Sequence, residues 1–508
     1  ASDGLVADNK IGFFLNNTQA SVVSSTYDSY LSVAQEIAAW SADRNFAPAL
    51  GCGSNFDQSC ANRFVSDLAP ELFRRPLTAE EISDYTTLAN GTQTSGDVKA
   101  GIELALTAAL SSPQFIYRHE IGEFNAENGD ITSDSYELTS HEMATWLSYT
   151  YTGSAPDESL RQKADADQLR DESAIRIEAQ RLLNQASAKT LMGDFVGNWL
   201  GTNKLVNSPK DAILWPGIED VKPHMAQEIR EVFSHVMLDP DEEFASLYDA
   251  DYTFVNATLA AHYGIDGVSG DAFQRVTTSD RGGILANGAF MTRWGESVET
   301  SPIRRSVRVR RRMLCQDQPE PPAGVSIGRD DANDEHAELL SDPTTTNRMK
   351  YAALTSGEVC STCHREWINP MGFGMEDFDT VGNPRTVDRR GDGNLIDASG
   401  QLYAANSLND KFNSIPFDGT KGLGALLSTL PSAQACIPKN LFRFIIGVGH
   451  DQIDNKVIGG PTLDPVEKNG YACEVEDLTN TMLNQSPRSM LESMSTMETV
   501  RYRREWAR

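Results

Sequence analysis

The chain is 508 residues long, which is enough for about three domains, each with its own hydrophobic core. It carries 44 basic and 72 acidic residues, and the resulting net charge of −28 repels nucleic acid and anionic membrane surfaces and argues against both as partners. No apolar stretch approaches the roughly 20 residues that a membrane-spanning helix needs, so no transmembrane segment is predicted.

Helix signals dominate along the chain. The segments Thr78-Ala-Glu-Glu and Thr139-Ser-His-Glu have the pattern of capping boxes, and each predicts the start of a helix. Between them, the apolar residues of VKAGIELALTAALSS recur at helical spacing. Further helices are predicted at 157–200 and 223–238, whereas the alternation typical of strands is scarce. The expected fold class is therefore mainly α, in a multi-domain helical protein.

Two changes in composition indicate domain boundaries. The proline-rich QPEPPAGV and the acidic GRDDANDEH that follows it indicate an extended linker, and a polar stretch near 120–135 separates two helical groups. The predicted order is an N-terminal remnant with a small disulfide loop (1–62), a helical domain (63–125), a central helical domain (126–317), the linker (318–340) and a last domain with C-terminal helices (341–508).

Seven cysteines are enough for a few disulfides. Cys52 and Cys60 flank the short loop GSNFDQS, which predicts a disulfide between them, with two free thiols as the alternative. Two further cysteines, in the motif CSTCH, are candidates for binding a cofactor. The other three, Cys315, Cys436 and Cys473, can then form one bridge and leave one thiol over.

The segment CSTCH places Cys360 and Cys363 three residues apart and directly before His364. On one turn of helix the two thiols lie on the same side, where they can form thioethers to the two vinyl groups of haem while the histidine coordinates iron. The motif predicts one covalently attached haem c, with His364 as the proximal iron ligand. Zinc is an alternative, but it needs two further ligands and the chain has no second C-x-x-C pair. A redox-active or structural disulfide is the third alternative.

The sixth ligand of the iron is open among four residues, which are Met349, Met371, Met375 and His450. A core role is favoured for Met371 and Met375, because Pro370 restricts the chain that would have to carry them around the haem edge. The choice matters for function, since a filled sixth position favours electron transfer and an open one favours chemistry on peroxide or oxygen.

A second candidate site lies on one predicted helix. His224, Glu228, Glu231 and His235 have a spacing that places all four on one helical face, a pattern that metal-binding helical bundles use. One helix cannot complete such a site by itself. A polar face exposed to solvent is therefore the favoured interpretation.

Two charged segments are further candidates. Six arginines occur within residues 304–312, where they can contact haem propionates or hold the acidic linker and the last domain against the helical region. Salt bridges between domains are the favoured interpretation of this cluster. The loop DRRGDGNLID contains Asp388, Asp392, Asn394 and Asp397, which faintly resemble calcium ligands. The loop lacks the closing acidic residue of an EF-hand, so a simple turn is predicted.

Several longer motifs resemble one family. LFRRPLTAEEI at 72–82 and ALSSPQFIYRHE at 109–120 resemble the opening domain of an exported bacterial family, of planctomycete/myxobacterium type, whose cytochrome-c-like proteins are built from consecutive domains of unknown function. YELTSHEMATWLSYTYTGSAPDESL and DADYTFVNATLAAHYGIDGVSG resemble its central helical domain. RGGILANGAFMT, TSPIRR and PEPPAGV resemble its next segment, and CSTCHREWINPMGFGMEDFDTVGNPR resembles its haem-type signature.

The resemblance implies an exported protein, periplasmic or extracellular, with a C-terminal cytochrome-c-like domain that binds one haem c through Cys360, Cys363 and His364. Such proteins are often supposed to serve redox steps in the breakdown of complex polymers. The chain departs from the family pattern at Leu354, where members often carry a histidine, and at Asn369, where they often carry an aspartate.

The expected function is that of an exported monohaem protein that exchanges electrons with a partner redox protein. An open-site haem enzyme of the peroxidase or oxygenase type is the first alternative. A non-redox structural or binding protein, with zinc or a disulfide at the motif, is the second. The first 45 residues resemble the inside of a family domain, so a longer precursor is expected.

Overall fold

In the computed structural model, the described residues are 23–43, 50–52, 56–124, 135–316, 333–389, 393–405, 413–447 and 465–504. Helices dominate this part of the chain, and its strands form short antiparallel pairs, which confirms the prediction of a mainly α fold. The strand pairs are Ser135–Glu137 with Tyr502–Arg504, Tyr252–Val255 with Gln274–Thr277, and Ser399–Tyr403 with Ser414–Asp418.

The α-helices are distributed on both sides of the predicted linker. Before residue 317 they are, in chain order, Ser24–Asp43, Gln58–Arg63, Ala69–Phe73, Ala79–Ala89, Val98–Ser111, Pro113–Ile116, Ser140–Thr152, Glu158–Asp165, Glu172–Leu183, Ala186–Leu200, Ile218–Leu238, Ser246–Asp249, Ala257–Tyr263, Gly288–Arg293 and Pro302–Arg308. After residue 332 they are Ala337–Ser341, Asn347–Leu354, Glu358–Cys363, Asn369–Phe373, Gly419–Thr429, Pro431–Ile446, Pro465–Asn484, Pro487–Met494 and Glu498–Arg501.

Some segments have a helical winding different from that of the α-helix. The segments Thr92–Thr94 and Thr202–Asn207 are 3₁₀-helical, and Phe64–Leu68, Val309–Met313 and His364–Ile368 are π-helical. A π-helical turn is rare and occurs frequently at functional sites. One of these turns begins at the histidine of the CSTCH motif.

Contacts between residues divide the chain into two compact units. Of the described residues, the first unit contains those up to Ala188 and those from Met494 onward, and the second contains Lys189–Ser493. The predicted linker lies mostly outside the described residues. The sequences on its two sides, 281–316 and 341–405, both belong to the second unit.

In the first unit, side chains fix the starts of two helices. Thr78 and Thr139 accept hydrogen bonds from the backbone amides of Glu81 and Glu142, and both glutamates accept from the threonine amides in return. These bonds satisfy amides that have no partner inside the helix. Both predicted capping boxes are therefore confirmed. Glu142 also accepts from the amide of Gly122, which fixes the chain that precedes the first strand.

Arg74 connects two of the longer motifs in the first unit. Its guanidinium donates to the carbonyls of Gln114 and Tyr117, each at 2.7 Å, and to the carbonyl of Phe115 at 3.2 Å. A planar guanidinium has five N–H donors, so it can satisfy several carbonyls of an irregular segment at once. The hydrogen bonds of the Arg74 side chain thus join the segment LFRRPL to the segment SPQFIYR.

A disulfide attaches a loop to the core of the first unit. Cys52 is joined to Cys60, and their Cα atoms lie 5.3 Å apart. Cys60 is buried in a core that includes Phe64, Phe73 and Tyr85. The bridge therefore ties the end of the loop to a packed helix.

In the second unit, the helix Ile218–Leu238 buries an apolar face. Phe233 of this helix stacks on Phe195 with ring centroids 5.5 Å apart, and Trp199 packs against both rings. Pairs of aromatic rings add about 0.5–1.5 kcal/mol beyond the free energy of burying their surface. This aromatic cluster gives the helix a fixed rotation about its axis.

The arginine cluster 304–312 does not form the predicted salt bridges at its centre. Arg305 is 0% exposed and donates to the carbonyls of Met375, Phe378 and Asp379 at 2.5–2.8 Å. Arg310 is also fully buried, and it donates to the carbonyls of two further residues, Trp367 and Tyr403, at 2.7 and 2.9 Å. The salt-bridge interpretation is wrong for these two arginines, because a long flexible side chain can reach backbone carbonyls that sequence patterns do not reveal. An exposed ion pair is present at Arg304, which lies 3.2 Å from Glu296.

A buried ion pair lies at the centre of the signature that follows CSTCH. The carboxylate of Glu376 is 2% exposed, and one of its oxygens accepts from Arg385, Thr300 and Asn347 at 2.8, 2.8 and 3.0 Å. Arg385 also donates to the backbone carbonyl of Glu376 at 2.8 Å. The pair therefore connects three segments that are far apart in sequence.

Two glycines permit close approach between the same segments. A Cβ atom on Gly372 would lie 2.2 Å from the carbonyl oxygen of Pro302, and one on Gly382 would lie 2.7 Å from the Cα atom of Gly288. Gly382 also has a φ angle of +80°, which is costly for other residues. The sequence motifs RGGILANG, TSPIRR and NPMGFGMEDFDTVG thus pack backbone against backbone.

No helix in the described part of the chain combines the length and the apolar character that crossing a bilayer requires.

Removing Arg385 is expected to destabilise the second unit strongly. In Arg385→Met the carboxylate of Glu376 stays buried without its counterion, and breaking a buried pair on one side typically costs about 3–5 kcal/mol. Urea denaturation followed by circular dichroism at pH 7 measures this loss in the free energy of unfolding.

Arg304→Met is the matched control, because it removes an arginine from an exposed ion pair, which is worth about 1 kcal/mol or less. The double variant Glu376→Gln/Arg385→Met is expected to recover part of the loss, since it has no unpaired buried charge. Equal losses in the free energy of unfolding for Arg304→Met and Arg385→Met would contradict the prediction that the buried pair stabilises the second unit.

Candidate functional site

The CSTCH motif spans the end of one helix and the start of a π-helical turn. Cys360 and Cys363 lie on the helix Glu358–Cys363, and His364 begins the segment His364–Ile368. Residues three apart on a helix are neighbours on one face. The structure therefore brings the two thiols and the imidazole together within about one turn of chain.

The cysteines fall into two pairs and a set of free thiols. In addition to the bridge in the first unit, Cys315 is joined to Cys436 in the second unit, with Cα atoms 5.4 Å apart. Cys360 and Cys363 are half-buried free thiols, and Cys473 is an exposed one. The two thiols of the motif are thus available for thioether bonds.

A chain of hydrogen bonds determines which nitrogen of His364 carries the proton. Thr355 donates its hydroxyl proton to the carbonyl of Tyr351 at 2.6 Å, because a carbonyl can only accept. The hydroxyl oxygen of Thr355 must then accept from Nδ2 of Asn369, which lies 2.8 Å away. The remaining amide atom, Oδ1 of Asn369, lies 3.0 Å from Nδ1 of His364. It accepts a hydrogen bond from this nitrogen, which therefore carries the proton.

This chain leaves Nε2 of His364 without a proton. In a neutral imidazole one nitrogen donates and the other carries a lone pair, and the nitrogen with the lone pair is the atom that coordinates a metal. Burial lowers the pKa of His364, while the hydrogen bond to Asn369 raises the pKa and so opposes this effect. The net shift favours the neutral ring, which is the form that a metal ligand requires.

The four candidates for a sixth ligand have different surroundings. Met371 and Met375 are fully buried, and the carbonyl of Met375 is held by Arg305. Met349 lies on the helix Asn347–Leu354 and is 47% exposed. His450 lies outside the described residues. The buried positions of Met371 and Met375 agree with the core role favoured for them, and the identity of the sixth ligand stays a prediction.

The second candidate site does not form a single cluster. His224 contacts the side chain of Asn256 at 2.9 Å, Glu231 pairs with Lys189 at 2.5 Å, and Nε2 of His235 lies 3.0 Å from Glu242. Within the ranges that the structure describes, no three His, Cys, Asp or Glu side chains converge as a metal-binding group.

Glu228 differs from the predicted exposed face because it is 1% exposed. It accepts hydrogen bonds from the hydroxyls of Thr253 and Tyr263, both at 2.6 Å. Its burial was not predicted, although Met225 and Val232 lie one helical turn away on either side and are both buried. Their spacing was the signal that Glu228 lies on the apolar face of its helix.

Arg281 completes the surroundings of this buried glutamate. Its guanidinium lies 3.5 Å from the ring centroid of Tyr263 and donates to the carbonyl of Gly382 at 3.1 Å. Burial raises the pKa of Glu228, against the opposing effects of the Arg281 charge and the hydrogen bonds from Thr253 and Tyr263. Arg281 is the first residue of the motif RGGILANG, and these contacts give it a structural role beside Glu228.

The acidic loop makes hydrogen bonds within itself and also to the segment 344–347, which lies earlier in the chain. Within the loop, the amide of Asp388 donates to the carbonyl of Asn394 at 2.8 Å, and the carboxylate of Asp397 accepts from a nearby amide at 3.0 Å. The side chains of Asp388 and Asn394 also bond to the backbone of the segment 344–347, at 2.8 and 2.7 Å. Asp392 lies outside the described residues. The described residues of the loop fit the predicted turn.

A pocket of about 490 Å³ lies elsewhere in the second unit. Its polar lining includes Asp280, Asp377, Asp418 and Lys421, together with Arg385 of the buried ion pair. The lining contains none of the three residues of the candidate haem site. The pocket and the CSTCH motif are therefore separate features of the surface.

Three models of protein families match the chain in succession. A family of unknown function, DUF1595, matches residues 60–120, and a second, DUF1592, matches residues 138–265. A third family of unknown function, DUF1588, matches residues 281–388 and includes the CSTCH motif. No curated protein and no solved structure matches the chain. The chain thus consists in large part of consecutive domains of unknown function, as the resemblance implies.

The buried glutamate leads to a prediction about pH. The pKa of Glu228 is 4.5 in the unfolded chain and higher in the folded protein, so the folded state holds this proton more tightly. The free energy of unfolding therefore falls as pH rises above 4.5. Relative to Glu228→Gln, the wild type is expected to lose up to about 1.4 kcal/mol per pH unit within this window. Urea denaturation of both proteins between pH 4.5 and 7.5 measures the difference. Parallel curves for the two proteins would show that the carboxyl group titrates normally.

Proposed function

We propose that the chain is an exported protein that binds one haem c covalently and transfers single electrons to or from a partner redox protein. Cys360 and Cys363 would anchor the porphyrin through thioether bonds, and Nε2 of His364 would coordinate the iron. The observation that carries the proposal is the hydrogen-bond chain through Asn369, which leaves the lone pair of His364 free beside two free thiols.

The residues present fit this group. Two thiols three residues apart on a helix, followed by histidine, are the attachment pattern of c-type haem. When bound there, the haem iron supplies a centre that accepts or donates one electron at a time. The chain itself would hold the porphyrin edge through its cysteines and keep the imidazole in one orientation through Asn369 and Thr355.

Two disulfides support export to an oxidising compartment, periplasmic or extracellular. Disulfides persist in such compartments and are rare in the bacterial cytosol. The net charge of −28 favours a redox partner with a basic docking surface, because opposite charges steer the encounter of two proteins. A role in the breakdown of complex polymers is part of the proposal through the family resemblance.

Haem attachment is tested by counting thiols and by the alkaline pyridine haemochrome assay. The protein is produced in a host that matures cytochromes, denatured, fully reduced and treated with a thiol reagent. We expect five reactive thiols instead of the seven in the sequence, because two are consumed as thioethers. We also expect a c-type absorption band that stays with the denatured chain.

Three further outcomes separate the alternatives. The variant Cys360→Ala/Cys363→Ala is expected to lose the band, whereas Cys473→Ser, which removes a thiol outside the motif, is expected to keep it. A low-spin spectrum supports an electron carrier, and a high-spin spectrum supports an open-site enzyme. Seven thiols without a haem band would overturn the proposal, and metal analysis would then distinguish zinc from a disulfide.

A further inference from the structure

We infer that Asn369 is a positioning residue that fixes the orientation of the His364 imidazole and, by being neutral, sets the reduction potential of the bound haem higher than a carboxylate at this position would. The inference rests on the proposed function, since it concerns the residue behind the iron ligand. Asn369 itself follows the motif by five residues and belongs to the helix Asn369–Phe373.

Asn369 is held from two sides and is 5% exposed. Its Nδ2 donates to Thr355, and its Oδ1 accepts from His364. Rotating the amide would place two donors opposite each other at His364 and two acceptors opposite each other at Thr355. Since unpaired polar groups in a buried position are costly, only one orientation of the amide satisfies both neighbours.

The anchor of this chain is the backbone of another helix. Thr355 donates to the carbonyl of Tyr351, which belongs to the helix Asn347–Leu354. A backbone carbonyl in a helix cannot turn away without disrupting the helix. The orientation of His364 is therefore fixed by a rigid element that lies before the motif, through two side chains.

The charge of the group behind the histidine affects the iron. An outer partner that accepts the Nδ1 proton raises the basicity of the ligand, and it does so more strongly when it is a carboxylate than when it is an amide. A more basic ligand stabilises the oxidised iron and lowers the reduction potential. The neutral carboxamide of Asn369 is therefore expected to favour the reduced iron relative to an aspartate.

Spectroelectrochemical titration of the haem-loaded full chain tests this inference. Asn369→Asp keeps the size and an acceptor oxygen but adds a negative charge, and we expect it to shift the one-electron equilibrium about tenfold towards the oxidised form, which corresponds to about 59 mV. Asn207→Asp makes the same change at an exposed position of the second unit and is expected to leave the potential unchanged. An Asn369→Asp potential equal to that of Asn207→Asp, or higher than that of the wild type, would overturn the inference.

Thr355→Val tests the orientation without touching either Asn369 or the motif. Valine has the shape of threonine but no hydroxyl, so the amide of Asn369 loses the partner that fixes its orientation. We expect the ¹⁵N NMR signals of His364 to show a proton on Nδ1 in the wild type and a mixture of the two tautomers in Thr355→Val. An unchanged Nδ1–H signal in the variant would overturn the positioning role.

The NMR measurement also separates the two proposals, because it works on the haem-free protein. If the wild type contains no haem but shows the Nδ1–H tautomer and its dependence on Thr355, the proposed function fails while the positioning of His364 stands. If haem is attached and the reduction potential of Asn369→Asp equals that of the wild type, the proposed function stands and the inferred effect of Asn369 on the potential fails. Loss of folding in Asn369→Asp leaves Thr355→Val to decide the positioning role.

Discussion

The second unit depends on one carboxylate that is removed from water. An ionised glutamate in a protein interior is tolerated only when its charge is paired and hydrogen-bonded. In Glu376 the charge is paired by Arg385, and one carboxylate oxygen accepts from Arg385, Thr300 and Asn347. Each of these three partners comes from a different segment. If any one of the segments moved away, the carboxylate would lose a hydrogen-bond donor. Two residues of the long signature, Glu376 and its last residue Arg385, are therefore explained by the pairing of one buried charge.

The same interaction reaches the candidate haem site through one short helix. Asn347 begins the helix Asn347–Leu354 and contacts Glu376, while Tyr351, one turn later, provides the carbonyl that anchors Thr355. The residues at 347, 351 and 355 follow each other at intervals of one helical turn. The helix thus connects the buried ion pair to the hydrogen-bond chain that ends at His364. The position of the imidazole therefore depends on the packing around Glu376.

The features that local sequence determines were predictable. The capping boxes at Thr78 and Thr139 depend on residues three apart, and the mainly α class depends on apolar spacing that extends over many turns. The burial of Glu228, by contrast, depends on which face of a helix meets the core, and the polar residues around it concealed an apolar stripe. Arg305 and Arg310 bind carbonyls from segments about 50 to 100 residues away, and such contacts have no local pattern. The motif CSTCH was visible in the sequence, but the role of Asn369 required the positions of Thr355 and Tyr351.

The bridge between Cys315 and Cys436 spans 121 residues of sequence, and the CSTCH motif lies inside that span. In an unfolded chain the entropy of loop closure makes neighbours such as Cys360 and Cys363 meet far more often than two residues at such a separation. During oxidative maturation the short pair therefore competes first for oxidation, before the long loop has formed. The proposed haem attachment therefore requires that the two thiols of the motif stay reduced, or are already bonded to haem, while the rest of the second unit folds.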